Sequence, residues 1–171
     1  MQDFLTLAHE RFSCRAFSQR PIEQGKIDRV LEAAIAAPTG CNNQPWHAWV
    51  VTDEISLKVV RASTSCHFDA PTIIILGTKA DEAWTRTFDG FNVADVDATI
   101  AGTHLMLEAA DLGLATTWVA HFNPNVIQEA FTETDGYKLI GLFPIGYPAP
   151  EATPSALHYK SKPASELTSY I

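Results

Sequence analysis

Seven residues in mid-chain, Thr72-Ile73-Ile74-Ile75-Leu76-Gly77-Thr78, set the strongest limit on what this chain can fold into. Successive residues of a strand face opposite sides of a sheet, so a half-buried strand alternates apolar and polar side chains. Ile73 to Leu76 leave no polar face, and the strand they predict is buried on both sides. A chain of 171 residues is long enough to build that cover as one domain, without staples.

The flanking segments predict the cover. Asp3 is placed to cap a first helix with apolar positions at Phe4, Leu5, Ala8 and Phe12. A second helix is expected to start near Pro21, with Ile27, Val30, Leu31 and Ala34 spaced i, i+3, i+4, i+7 and Pro38 and Gly40 stopping it. Trp46 to Thr52 reads as a strand. The clearest helix runs from about Ala94 to Leu112, with Val96, Ile100, Leu107 and Ala110 on one side and Gly113 at its end. A strand from Leu114 to Ala120 follows. Asn123-Pro124, a cap and a first-turn proline, opens a short helix through Phe131, and Leu139 to Ile145 is the last core strand. From Pro148 the chain loses periodicity and gathers prolines, as an arm lying on another surface would. No repeat, low-complexity stretch or linker divides the chain, so residues 1–171 read as one domain with 148–171 as its arm.

Alternating helices and strands, taken alone, predict a parallel, doubly wound sheet. Yet no G-x-G-x-x-G opens a helix after a strand and no G-x-x-x-x-G-K-[ST] is present. A nucleotide-like cofactor would need another cradle.

A net charge of -8 argues against nucleic-acid binding, where a basic face is expected. No apolar run approaches the roughly 18 residues of a membrane span, and Met1 to Glu10 lacks the basic and apolar regions of an export signal. Cys14, Cys41 and Cys66 form no CxxC pair and read as reduced thiols of a cytoplasmic protein. Within this acidic chain Arg11, Arg15, Arg20, Lys26 and Arg29 cluster, either as a solvated face or around a small anion.

Three segments could carry chemistry. In an extended Arg11-Phe12-Ser13-Cys14-Arg15, Arg11, Ser13 and Arg15 point the same way; two guanidinium forks and a hydroxyl suit a phosphate dianion, or else form a surface ion-pair patch. Between Pro38 and Trp46, the amides of Asn42, Asn43 and Gln44 offer donors and acceptors to a ring edge such as that of a flavin, or merely serve a turn. Thr116 to His121 puts Trp118 and a possible donor near a strand end, where a core tryptophan is the alternative to one stacking on a cofactor. A thiol catalyst built on Cys41 and His47 has no orienting acid marked beside it, and Cys14, Cys41, Cys66 and His67 lack the short paired spacings of zinc sites.

Together these segments resemble the nitroreductase family of flavoproteins. Arg11 to Phe17 is similar to its R-x-S-x-R/K-x-F opening, and Ala37-Pro38-Thr39-Gly40-Cys41-Asn42-Asn43-Gln44-Pro45-Trp46 to its A-P-[ST]-x-x-N-x-Q-P-W loop. Leu112-Gly113-Leu114 running into Trp118-Val119, and then Gly146-Tyr147-Pro148, match later landmarks in the same order.

The resemblance implies an α+β fold with a central mixed, mostly antiparallel sheet flanked by helices, which replaces the parallel expectation. It also implies a C-terminal arm onto the partner of a homodimer and FMN at sites between subunits. Electrons would pass from NADH or NADPH to a small acceptor, a nitroaromatic or quinone, in a ping-pong cycle; a flavin-storage protein without enzymatic activity is the alternative. Arg11, Ser13 and Arg15 would contact phosphate and ribityl groups, with the backbone of Phe12. Pro38, Thr39, Gly40, Asn42 and Gln44 belong to the loop expected to reach the flavin from the partner. Trp118, Val119 and Ala120 would line its other face, with the N–H near Ala120 aimed at N5, and Lys160 and Lys162 would complete the phosphate site. The flavin carries the redox chemistry, so no side chain is assigned as acid, base or nucleophile. The chain departs from the family in three places: Lys160-Ser161-Lys162 offers no guanidinium, Ser63 to His67 no lysine or amide, and Ala120-His121 stands where Glu-Gly is common. Trp84, Phe88 and Phe91, with Arg86 and Asp89, are expected either above the flavin or packed under a surface loop.

Overall fold

The structure, a computed structural model, describes residues 3–171. Met1 and Gln2, part of the stretch read as lacking an export signal, lie outside the described residues. Strands β1 (Trp46–Val51), β2 (Thr72–Thr78), β3 (Ala115–Thr116) and β4 (Lys138–Gly146) form one sheet in the order β1-β2-β4-β3, every pair antiparallel. An isolated parallel bridge joins Ser13 to Thr116 at the β3 edge. The helices are α1 (Phe4–Glu10), α2 (Gln24–Ile35), α3 (Glu54–Ala62), α4 (Ala94–Asp111), α5 (Pro124–Ala130) and the short α6 (Ala164–Leu167).

All seven residues of β2 are buried, as the sequence requires. Ile74 and Leu76 pack with Val30 and Ala34 of α2 and with Ala98, Ala101 and Leu105 of α4. Ile73 and Ile75 face the other way, onto Leu57 and Val60 of α3 and Ile127 of α5. Helices therefore cover both faces, but the sheet is not the parallel one that alternation alone predicts. After α3, residues 63–71 bring the chain back to the end of β1, so β2 starts opposite Val51 and runs the other way.

Helix α3 has no counterpart in the sequence reading, although its signal was present: the Asp53 carboxylate accepts the Ser56 N–H at 2.9 Å as an N-cap. Helix α2 starts at Gln24, three residues after Pro21. The caps at Asp3 and Asn123 form as expected, with Pro124 in the first turn of α5.

Two expectations need correction. The core face of α4 is Ala94, Ala98, Ala101, Leu105 and Ala109; of the residues read from the sequence, Ile100 packs partly buried at its border, Leu107 and Ala110 are half-buried, and Val96 is exposed. Small side chains let α4 lie close to the sheet, whereas the larger residues chosen from the sequence sit on its flank. Likewise Phe4 and Leu5 of α1 are exposed.

The predicted strand Leu114 to Ala120 shortens to Ala115–Thr116, with an isolated bridge at Val119. The partners Thr116↔Ile145 and Val119↔Leu142 keep one register, which sets Thr117 opposite Pro144. Proline has no N–H to donate, so the ladder breaks there. The Thr116 hydroxyl donates to the Pro144 carbonyl at 2.8 Å instead.

Candidate functional site

The segment after α1 is extended and hangs on β3: the Cys14 N–H donates to the Thr116 carbonyl at 3.2 Å. Cys14 points into the core, fully buried, and burial pushes its thiol pKa up, away from thiolate chemistry. Alternation then turns Arg11, Ser13 and Arg15 outward. They line a cavity of about 320 Å³ with Ser155, Leu157 and His158 of the C-terminal segment. Arg15 donates to the Ser13 carbonyl at 3.1 Å. Among the described residues neither Arg11 nor Arg15 belongs to an ion pair, whereas Arg20, Arg29, Arg61 and Arg86 each meet a carboxylate. Two guanidinium groups that no carboxylate among the described residues neutralises, around a hydroxyl, have the chemistry that a doubly charged anion requires. Lys160 and Lys162 are absent from that lining, and Lys162 lies 3.8 Å from Glu166. His158 stands where the sequence reading put them.

The Pro38 to Pro45 loop is held by its backbone. Cys41, Asn42 and Gln44 all have positive φ, at 52°, 57° and 52°, a left-handed region that non-glycine residues enter only when their surroundings impose it. The Thr39 hydroxyl accepts the Gln44 N–H at 3.0 Å, and Asn43 donates to the Glu82 carbonyl at 3.0 Å. The Gly40 N–H donates to the Asp97 carboxylate of α4 at 3.0 Å. A Cβ at Gly40 would lie 3.0 Å from both Trp84 and Val93, so a side chain here would have to push its neighbours back by a few tenths of an ångström. Asn42 and Gln44 are exposed and meet weakly at 3.4 Å, leaving further donor and acceptor capacity at the loop surface.

Asp97 was missed in the sequence. It is 3 % exposed, and its second carboxylate oxygen is buried with no partner among the described residues. The available signal was an acidic residue at a core-facing position among the alanines of α4.

From Thr116 the chain runs extended past the sheet. Val119 is buried and exchanges hydrogen bonds with Leu142, at 2.8 and 2.9 Å. Adjacent residues of a strand turn their N–H groups to opposite edges, so that of Ala120 faces away from β4 and has no partner among the described residues. Trp118 goes to the core: its ring meets Phe143 edge-on at 4.9 Å and fills space above Gly141 and Gly102. The ring is partly buried and packs on the core, so its remaining surface and its backbone are what face outward. His121 is exposed and lines a cavity of about 370 Å³ with Ser63, Thr64 and Ser65. The six residues from Thr116 to His121 make five Cα steps, which span at most about 18 Å. Among the described residues no group of three His, Cys, Asp or Glu is placed to hold a metal ion.

Known proteins match the chain over most of its length. Residues 8–67 and 60–147 match the family described as Nitroreductase family. The chain belongs to that family. A nitroreductase family protein from Clostridium difficile 630, known from its crystal structure, is 37% identical, with 99% of this chain and 98% of that one covered and a TM-score of 0.89. An NADH dehydrogenase from Thermus thermophilus is 24% identical, with 90% of each chain covered. An FMN-dependent nitroreductase from Clostridium difficile R20291 shares the fold at a TM-score of 0.72 and 23% identity, over 86% of this chain and 88% of that one.

Proposed function

We propose that this nitroreductase-family protein is an FMN-dependent oxidoreductase that takes electrons from NADH or NADPH and delivers them to a small acceptor such as a quinone or nitroaromatic. The observation that carries the reading is that, among the described residues, no carboxylate pairs with Arg11 or Arg15 at one end of the Thr116 to His121 segment and nothing accepts the Ala120 N–H near the other. The residues fit FMN. Arg11, Ser13 and Arg15 would hold its phosphate, and Phe12 would contribute backbone. Trp118, Val119 and Ala120 would offer a backbone edge, with Ala120 donating to the ring. Pro38, Thr39, Gly40, Asn42 and Gln44 would border the ring from the partner subunit of a homodimer. Lys160 and Lys162 would serve the phosphate only as a diffuse positive field.

Bound there, FMN supplies a two-electron couple between donor and acceptor. The protein's part is to bind, orient and exclude water. From the phosphate end the Arg15 guanidinium would add only long-range positive charge favouring an anionic reduced flavin, and donor and acceptor would use the same space in turn, as a ping-pong cycle requires. The exposed Leu157, Leu167 and Tyr170 favour the dimer, because a partner surface would cover them. No helix among the described residues is long and apolar enough to cross a membrane. A cytoplasmic setting goes with three free cysteines and a pyridine-nucleotide donor.

The absorption spectrum of the purified protein tests the reading. Flavin bands bleached by NADH or NADPH and restored by a quinone are expected. Flavin bands that neither donor bleaches would mark a flavin-storage protein, and a colourless protein that takes up no FMN would end the proposal.

A further inference from the structure

Residues 85–92 form a small hairpin whose tip carries Phe88, 95% exposed. A single exposed phenylalanine is ordinary; the way this one is held is not. Thr85 bridges Asn92, the Arg86 N–H donates to the Phe91 carbonyl at 2.8 Å, and Gly90 turns the chain at φ 73°. Across the tip the Arg86 guanidinium grips both oxygens of Asp89, at 2.8 and 2.6 Å, and lies 5.0 Å from the centre of the Phe91 ring. The fork cancels the charge at the tip and fixes the turn, so Phe88 is offered to solvent on a braced, neutral mount.

The hairpin base is joined to the Pro38 to Pro45 loop. Asn43 donates to the Glu82 carbonyl at 3.0 Å, and Gly40 fits against Trp84 and Val93, which flank the hairpin on both sides. Val93 in turn accepts the Asp97 N–H at 2.8 Å, on the residue that holds Gly40. Loop and hairpin thus share one footing, and whichever flavin the loop borders, the hairpin stands beside.

We propose that Phe88 is a specificity-determining residue, a preorganised aromatic knob that stacks on a flat, aromatic acceptor bound over the flavin. The proposal rests on the reading that the Pro38 to Gln44 loop borders FMN. A ring mounted on a braced turn loses little freedom on stacking, which is how preorganisation gains affinity. With Arg86 and Asp89 neutralising each other, the knob selects flatness and not charge.

The test compares wild type, Phe88→Ala and Phe88→Tyr in steady-state assays with a quinone and with ferricyanide, an oxidant with no ring to stack. FMN content, sedimentation and bleaching by NADH are measured on each protein. Loss of the ring should raise KM for the quinone about two- to tenfold, leave ferricyanide reduction and the dimer unchanged, and be rescued by tyrosine. Equal quinone kinetics in Phe88→Ala and wild type would overturn the knob alone. So would a dissociated dimer or a parallel loss with ferricyanide, because Phe88 would then be an assembly or packing contact. A wild type that holds FMN but is not bleached by NADH or NADPH would overturn the oxidoreductase reading, and the knob with it.

Discussion

The Asp97 carboxylate, buried in helix α4, accepts the backbone N–H of Gly40 at 3.0 Å and ties the amide loop to the core. Its other oxygen has no partner among the described residues, so this one bond carries the compensation for burying the group. Asp97→Ala leaves the Gly40 N–H unsatisfied and should cost about 1–3 kcal/mol of stability. It should also weaken FMN binding, because three left-handed residues of the loop lose an anchor. Asp97→Asn keeps an acceptor for Gly40 and should recover most of both. Denaturant unfolding and flavin titration of the two variants check this; an alanine variant with wild-type flavin affinity would remove Asp97 from the site.

Trp118 occupies a slot made by two missing side chains. A Cβ at Gly102 would lie 2.8 Å from Phe143 and 3.0 Å from the Trp118 ring. Alanine is the better helix former by about 1 kcal/mol, but overpacking a filled core costs roughly 1–3 kcal/mol. Gly102→Ala should therefore destabilise the protein, or at best leave it unchanged. A stabilised Gly102→Ala variant in thermal unfolding would show the slot to be loose.

What was legible in the sequence followed from local rules. The unbroken apolar run of β2, the caps at Asp3 and Asn123 and the apolar spacing of α2 each state their own structure. Sheet direction does not, because it depends on where residues 63–71 return the chain. The short β3 could have been read only by setting Pro144 against Thr117, a pairing that needs the register first. In the site, the outward turn of Arg11, Ser13 and Arg15 follows from strand alternation. The nearness of His158, and the core role of Trp118, depend on contacts with distant segments.

Tyr147 donates to the Glu23 carboxylate at 2.5 Å, and Arg20 pairs with it at 2.6 Å. The tyrosine hydrogen bond first, then the Glu23 backbone N–H and Arg20, hold the carboxyl pKa at about 2, below its ordinary 4.5. A carboxyl whose pKa is depressed on folding contributes stability above its unfolded pKa and loses it as pH falls through the folded one. Glu23's contribution should thus be complete above about pH 4.5 and gone below about pH 2. Tyr147→Phe removes the largest cause, so its stability deficit should shrink as pH drops through that window. Unfolding free energies of both proteins from pH 6 to 2, in about half-unit steps, test the sign; a deficit that grows with acid would refute the linkage.

The arginine cradle makes a prediction specific to phosphate. Riboflavin has the ring and ribityl chain of FMN but no phosphate, so a residue that holds the phosphate should matter for one ligand only. Arg15 lines the cavity, its side chain is exposed, and its hydrogen bond to the Ser13 carbonyl is replaceable by water. Arg15→Ala should therefore fold normally. Losing a charge-assisted contact should weaken FMN about tenfold to a hundredfold, while riboflavin affinity stays within about twofold of wild type. Lys160 and Lys162 are outside the lining, and a double alanine variant there should lose much less FMN affinity, with its deficit relative to wild type vanishing at raised ionic strength, where diffuse fields are screened. Equal losses of FMN and riboflavin in Arg15→Ala would place the guanidinium on the ring or ribityl chain. A larger loss in the lysine variant would show that the arm rearranges on binding and that His158 is displaced from the site.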